Sequence, residues 1–291
     1  MKKNDYLALG ATLFIPASHK RLEEIVSSNR YPDLKSLVVD FEDGLEKSDF
    51  ESAMKRIDAI LGSITTKRVM VFMRAKDVEH LSELLKLHNI ENITGFVLAK
   101  FSLTNAVDYL DLLQNTKHLI MPSIEGEELF HHQKLHKLKD IILTHKHKVL
   151  LVRFGLEDML RQLGMRRGCD ESVFDFSASS CIIGNFIATF KSVGFGVSGG
   201  VYPCYRDREG FLKDARRDMK EGLFSKTIIH PSHIAPLNEL YKVTQEAYDE
   251  ALKIINSDKN IFALNEKMAE KATMISHSQE IVTRAEVYGV V

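Results

Sequence analysis

Short aliphatic and β-branched runs recur through the first 230 or so residues, and segments with helical spacing separate most of them. The runs are Thr12 to Ile15, Ser36 to Asp40, Val69 to Arg74, Gly95 to Ala99, Leu119 to Pro122, Val149 to Phe154, Gly196 to Tyr202 and Thr227 to His230. Most are continuously apolar, as expected of strands buried on both faces, so they predict a parallel sheet covered by helices. Between them, Leu81, Leu84, Leu85 and His88 fall on one helical face, as do Ala106, Leu110 and Leu113, and then Leu135, Leu138, Ile141 and Ile142. Ser48-Asp-Phe-Glu51 has the form of a capping box that opens another helix.

About eight strands is the number that closes a parallel barrel, so residues 1–236 are predicted to form an α/β, (β/α)8 TIM barrel. An open doubly wound sheet is the competing architecture. From about Leu237 the spacing is helical to the end. Leu240, Val243, Ala247, Ala251, Ile254 and Ile255 share one face, and a break near Ser257-Asp258 precedes a further helix. Residues 237–291 are therefore expected to be a C-terminal helical extension.

Charge removes several function classes. Lys plus Arg total 39 against 40 for Asp plus Glu, a net charge of -1, so no global field attracts a polyanion and nucleic-acid binding is not expected. The apolar stretches at Val149 to Val152 and around Ile182 and Ile183 fall short of the roughly 20 residues of a membrane span. Met-Lys-Lys-Asn-Asp is followed by no signal-type apolar core, so a cytosolic protein without a membrane partner is expected. Cys169, Cys181 and Cys204 are odd in number and widely spaced, which predicts three free thiols rather than a disulfide framework or a zinc site.

The polar residues at the strand ends change the picture most, because parallel barrels build their active sites there. Strand two ends in Asp40-Phe-Glu42-Asp43, strand three in Arg74 and strand four in Lys100. Strand five runs into Ser-Ile-Glu125, strand six into Gly155-Leu-Glu157-Asp158, and strand eight into His230-Pro231. Glu125 and Asp158 have the hard oxygens that Mg²⁺ prefers, if strands five and six are neighbours. The alternative is that both acids simply face a helix N-terminus. Arg74 has a donor fork suited to a substrate carboxylate, and a salt bridge to Glu42 or Asp43 is compatible with that role. His132 and His136 lie four apart among Gln133, Lys134 and Lys137, the pattern of a solvated face rather than a metal site. Gly194-Phe-Gly196-Val-Ser-Gly199 has the letters of a dinucleotide fingerprint but precedes a strand, the reverse of the required context.

In their order, these strand-end motifs resemble the citrate lyase β-subunit and HpcH/HpaI aldolase family across roughly residues 12–236. The matching segments are Leu13-Phe-Ile-Pro16, Val39-Asp40-Phe-Glu42-Asp43, Arg74, Lys100, Ile124-Glu125, Phe154-Gly155-Leu-Glu-Asp158 with Leu163-Gly164, and Ile229-His230-Pro231-Ser-His-Ile234. The resemblance implies a Mg²⁺-dependent carbon–carbon lyase, with Glu125 and Asp158 as metal ligands. It places Arg74 on the oxo-acid part of the substrate, steadied by Glu42 and Asp43 as members of the catalytic group. Lys100 and Arg21 are the further substrate-binding residues. The implied reaction is reversible cleavage of a β-hydroxyacyl thioester into an acetyl-type thioester and an α-keto acid, in a homo-oligomer.

The departures also carry information. The family's glycine-containing opening loop is replaced by Pro16-Ala-Ser-His-Lys20-Arg21, one residue shorter, so the resemblance does not settle whether CoA is the acyl carrier. Arg74-Ala-Lys76 and Ala99-Lys100-Phe101 also differ from the family pattern. Two alternatives stay open: a pyruvate- or phosphoenolpyruvate-type aldolase acting on free oxo acids, and a non-catalytic barrel subunit of a biosynthetic complex.

Overall fold

The computed structural model describes residues 4–26, 30–43, 45–64, 68–264 and 267–291. Six strands run parallel and in chain order, β1 (Thr12–Pro16), β2 (Ser36–Asp40), β3 (Met70–Ala75), β4 (Gly95–Leu98), β5 (Leu119–Ile124) and β6 (Arg153–Phe154), and β7 (Thr227–Ile228) pairs back onto β1. Residues 196–199 close the remaining gap. Val152 N donates to Gly196 O at 2.9 Å, Ser198 N to Val152 O at 3.1 Å, and Phe224 N to Val197 O at 2.9 Å. The result is a ring of eight parallel staves, a TIM barrel, and the open-sheet alternative is set aside.

The predicted strand Gly196 to Tyr202 contributes only this short stave. It leaves the ladder at Gly200, where a Cβ would lie 2.6 Å from Leu156 Cδ2, so the chain packs there backbone-to-side-chain instead of extending.

The strands alternate between two cores. Leu9, Val38, Phe72, Val97, Met121 and Leu151 fill the barrel interior. Their neighbours Leu13, Leu37, Val39, Val71, Phe96 and Ile120 face the surrounding helices. Those helices are α1 (Leu22–Val26), α2 (Phe50–Leu61), α3 (Val78–Leu84), α4 (Ala106–Leu113), α5 (His132–Thr144), α6 (Leu156–Gln162), α7 (Ser177–Lys191) and α8 (Arg208–Lys220). The faces predicted for α4 and α5 are buried through Ala106, Leu110, Leu113, Leu135, Leu138 and Ile142. Helix α3 stops before His88, whose backbone N–H instead donates to Asp58 Oδ1 at 2.9 Å. The capping box at Ser48 does not form, because a 3-10 turn at Lys47–Asp49 makes Asp49 the N-cap of α2.

The tail departs from the helical expectation. Helix α9 (Ile234–Leu240) ends early, and Thr244 accepts from Ala247 N to start α10 (Gln245–Asn256). An antiparallel pair, β8 (Ile261–Leu264) and β9 (Lys267–Glu270), follows before α11 (Lys271–Tyr288). Phe262 and Leu264 alternate with exposed Ile261 and Ala263, a period of two inside a segment otherwise spaced as helix. Helix α11 seals the amino-terminal end of the barrel, where Tyr288 Oη donates to Leu7 O at 2.6 Å and Tyr6 Oη donates to Glu280 at 3.3 Å.

The expectation of three free thiols fails. Cys169 and Cys204 form a disulfide with Cα atoms 5.8 Å apart, and only Cys181 is free. Their separation of 35 residues hid the pairing, which depends on two loops meeting above the barrel. Behind those loops lies a buried charge cluster. Lys226 Nζ donates to Asp214 and Asp218, both at 2.6 Å, and to Gly200 O at 2.8 Å, while Arg167 Nη1 donates to Asp214 at 2.7 Å. Among the described residues no helix is long and apolar enough to cross a membrane.

Candidate active site

The carboxyl ends of the staves enclose a cavity of about 320 Å³, lined on its polar side by Asp40, Asp43, Arg74, Glu125, Arg153 and Asp158. Two clusters of ionisable groups face each other across it.

The first is built on Arg74, at the end of β3. Its Nε and Nη2 donate to Asp40 at 2.7 Å each, a bidentate pair, while Nη1 reaches Glu42 at 3.0 Å and Nη2 reaches Asp43 at 3.3 Å. Register explains the pairing, because Asp40 of β2 lies directly beside Arg74 in the ladder. Burial works against the guanidinium's charge, and the three carboxylates outweigh it, so Arg74 is held firmly protonated. Most of its donors are already committed. Lys100 Nζ joins the group through an ion pair with Glu42.

The second cluster joins β5 to α6. Glu125 is 5 % exposed, and its carboxyl shares a hydrogen bond with that of Asp158, in the first turn of α6. Burial, then the contact with Asp158, pushes Glu125 up to about 8, so at neutral pH it holds a proton that the pair shares. Burial also disfavours charge on Asp158, but the bonds from Glu125 and Arg161 outweigh it and keep Asp158 ionised. The helix-terminus alternative therefore coexists with a direct contact between the two acids.

Three neighbours hold Glu125 in place. Lys100 donates its backbone N–H to Glu125 Oε1 at 2.6 Å from a left-handed conformation (φ 48°), rare for a residue with a side chain. Gln162 Nε2 donates to Glu125 O at 2.7 Å and to Asp158 O at 3.0 Å. Gly155 passes so close that a Cβ there would sit 2.2 Å from Glu125 Cβ.

The structure thus brings Arg74, Glu42, Asp43, Lys100, Glu125 and Asp158 to one rim. Arg21 is placed apart, exposed on the loop after β1 and outside the cavity lining. His132 and His136 lie with ring centroids 4.2 Å apart and planes tilted by 53° on the surface of α5, and no cluster of three metal-competent side chains exists among the described residues. Two carboxylates suffice for a hard cation that keeps water and substrate among its ligands, and the shared proton marks the place such a cation would take.

Sequence reasoning placed Asp40 at a strand end without giving it a role, and it missed two further participants. Asp40, not Glu42 or Asp43, makes the tightest pair with Arg74. Gln162 carried no signal. Arg153 did carry one, as the only charge in the run Val149 to Phe154. It is 3 % exposed inside the barrel and stacks on one ring with its neighbour, since the guanidinium carbons of Arg153 and Arg74 lie 5.0 and 5.5 Å from the Phe14 centroid.

A closed parallel barrel with ionisable groups converging on the carboxyl ends of its strands defines an enzyme of the TIM-barrel class. The chain belongs to the family described as C-C_Bond_Lyase of the TIM-Barrel fold, whose model matches residues 3–290. It is 25% identical over 150 residues to citrate lyase subunit beta of Escherichia coli (strain K12), across 49% of this chain and 48% of that one, so this match spans about half the relative's length. With citrate lyase subunit beta of Haemophilus influenzae it shares 24% identity over 292 residues, covering 94% of this chain and 95% of the other. Its fold is similar to that of CitE from Mycobacterium tuberculosis, solved in complex with magnesium, acetoacetate and coenzyme A. That match has a TM-score of 0.69 at 18% identity, over 97% of this chain and 99% of that one.

Proposed function

We propose that this protein is a Mg²⁺-dependent lyase that reversibly cleaves a β-hydroxyacyl thioester of the citryl, malyl or citramalyl type into an acetyl-type thioester and an α-keto acid. The observation that carries the proposal is the buried Glu125–Asp158 pair, two acids held together in a cavity where one is kept from ionising. Family membership, the citrate lyase relatives and the CitE neighbour support the same reading. Held between Glu125 and Asp158, Mg²⁺ would supply Lewis-acid polarisation of the substrate oxygen on the carbon whose bond breaks.

The chain's own residues do the positioning. Lys100 N–H and Gln162 fix Glu125, while Asp40, Glu42 and Asp43 fix Arg74 toward the acid portion of the substrate. Phe154, Leu156, Val201 and Ile229 form the apolar side of the cavity wall. In the cleavage direction the hydroxyl loses its proton and becomes a carbonyl as the carbon–carbon bond breaks. The electron pair goes to the α-carbon of the departing thioester, which then takes up a proton. Arg21, exposed on the loop after β1, is the proposed contact for the thioester carrier.

Incubation with malyl-CoA, citramalyl-CoA and citryl-CoA, and in parallel with the free hydroxy-oxo acids, tests this reading. Thioester cleavage that stops on chelation of Mg²⁺ is expected. Cleavage of the free acids alone would favour the pyruvate-type aldolase, and calorimetry showing no coupled binding of Mg²⁺ and oxaloacetate would favour a non-catalytic barrel.

Gly155→Ala supplies a second test. The new methyl would displace the Glu125 backbone, and a displacement of about 1 Å at a reacting centre costs about 10²-fold in rate. Steady-state turnover should fall by that order, and the thermal midpoint should fall as well, because overpacking at a buried backbone contact costs about 1–3 kcal/mol; turnover is therefore read well below the variant's midpoint. Unchanged turnover would mean that the position of Glu125 is not critical.

A further inference from the structure

The two arginines of the cavity are not equivalent. Arg74 is matched by three carboxylates. Arg153 is more deeply buried, yet among the described residues no carboxylate pairs with it. Its Nη2 donates to Thr227 Oγ1 at 2.6 Å, its Nη1 reaches only the weak acceptor Met121 Sδ at 3.7 Å, and its face rests on Phe14. An unpaired buried charge is costly, and a barrel interior lined by Val38, Phe72, Val97 and Leu151 would hold an aliphatic side chain at that position at less cost. Arg153 also lines the same cavity as Glu125 and Asp158, so its missing counter-ion has a route in.

From this geometry we infer that Arg153 is the receptor for a second carboxylate of the substrate, so that the oxo acid handled here is a dicarboxylate. One end of the diacid lies toward Glu125 and Asp158. The other is taken at the cavity floor by the guanidinium, whose planar fork matches a carboxylate and whose buried position leaves it unscreened by water. Specificity follows from the same arrangement, since a monoacid would leave the buried cation without a partner. The inference rests on the lyase reading for the identity of the ligand, but not for the existence of the anion site.

The test measures binding of oxaloacetate and of pyruvate by calorimetry with Mg²⁺, on the natural protein, Arg153→Met and Arg153→Lys. A charge-assisted contact of this kind predicts that the natural protein binds the diacid at least about tenfold more tightly than the monoacid. Arg153→Met should bind both alike, at the pyruvate affinity, and Arg153→Lys should recover part of the preference. The thermal midpoint of Arg153→Met should stay level or rise, because the variant removes an uncompensated buried charge; a purely structural arginine would lower it.

A preference that survives Arg153→Met, one absent from the natural protein, or a collapse of folding in Arg153→Met would each overturn the inference. A metal-free arm separates it from the lyase reading. If neither oxo acid binds, the lyase reading fails, yet a sulfate-induced rise in thermal midpoint that Arg153→Met abolishes still supports the anion site. An equal rise in both proteins refutes it.

Discussion

Glu125→Ala and Asp158→Ala should each lose Mg²⁺-dependent turnover by about 10³-fold or more and remain folded. Each ligand is one of only two protein carboxylates available to the cation, and removing it forfeits several kcal/mol of charge stabilisation, about 1.4 kcal/mol for each factor of ten in rate. The fold should tolerate the loss. Alanine at 125 ends an arrangement in which a buried acid must keep its proton, and it costs mainly the acceptor for the Lys100 N–H, roughly 1–3 kcal/mol. Alanine at 158 frees Arg161, which is exposed to water. Steady-state cleavage at saturating Mg²⁺, read alongside thermal unfolding, separates the two effects. Turnover like that of the natural protein from either variant would remove the acid pair from the mechanism.

The largest loss of stability is expected at Asp214. This residue pairs with both Lys226 and Arg167, and all three side chains are buried. Asp214→Ala leaves two cations facing the single remaining acid, Asp218, whose carboxyl burial already pushes up to about 6. Breaking a buried pair in this way costs about 3–5 kcal/mol. Urea unfolding should show that decrease, whereas replacing Arg167, Lys226, Asp214 and Asp218 together with apolar residues of similar volume should cost much less. A decrease below about 1 kcal/mol for Asp214→Ala would mean that water or a rearranged Asp218 compensates the cations.

What the sequence revealed followed from which forces leave a local trace. β1 to β5 were legible because burial on both faces makes an uninterrupted apolar run, and Asp40, Arg74 and Glu125 were legible because those runs end in charge. The stave at 196–199 was legible as a strand, but its early end at Gly200 was not, since a glycine-rich stretch with a short ladder carries little pattern. The period of two in Ile261–Leu264 was lost between two helices. Cys169 with Cys204, and Lys226 with Asp214 and Arg167, are contacts made only by the closed barrel, so spacing along the chain held no information about them. Arg153 lies between these cases. Its place in an apolar strand was visible, but its lack of a partner required the neighbouring staves.

The disulfide bears on the part of the ring that is paired through isolated bridges. Cys169 and Cys204 enclose α7 and the stave at 196–199, so that stretch is a covalent loop before any of its hydrogen bonds form. In the chain-entropy view, closing a loop of 35 residues withdraws on the order of 4 kcal/mol of freedom from the unfolded ensemble. The stave at 196–199, joined to its neighbours by isolated bridges, is thus also tethered covalently, and the wall of the cavity at Val201 stays within reach of its place even while that ladder is open.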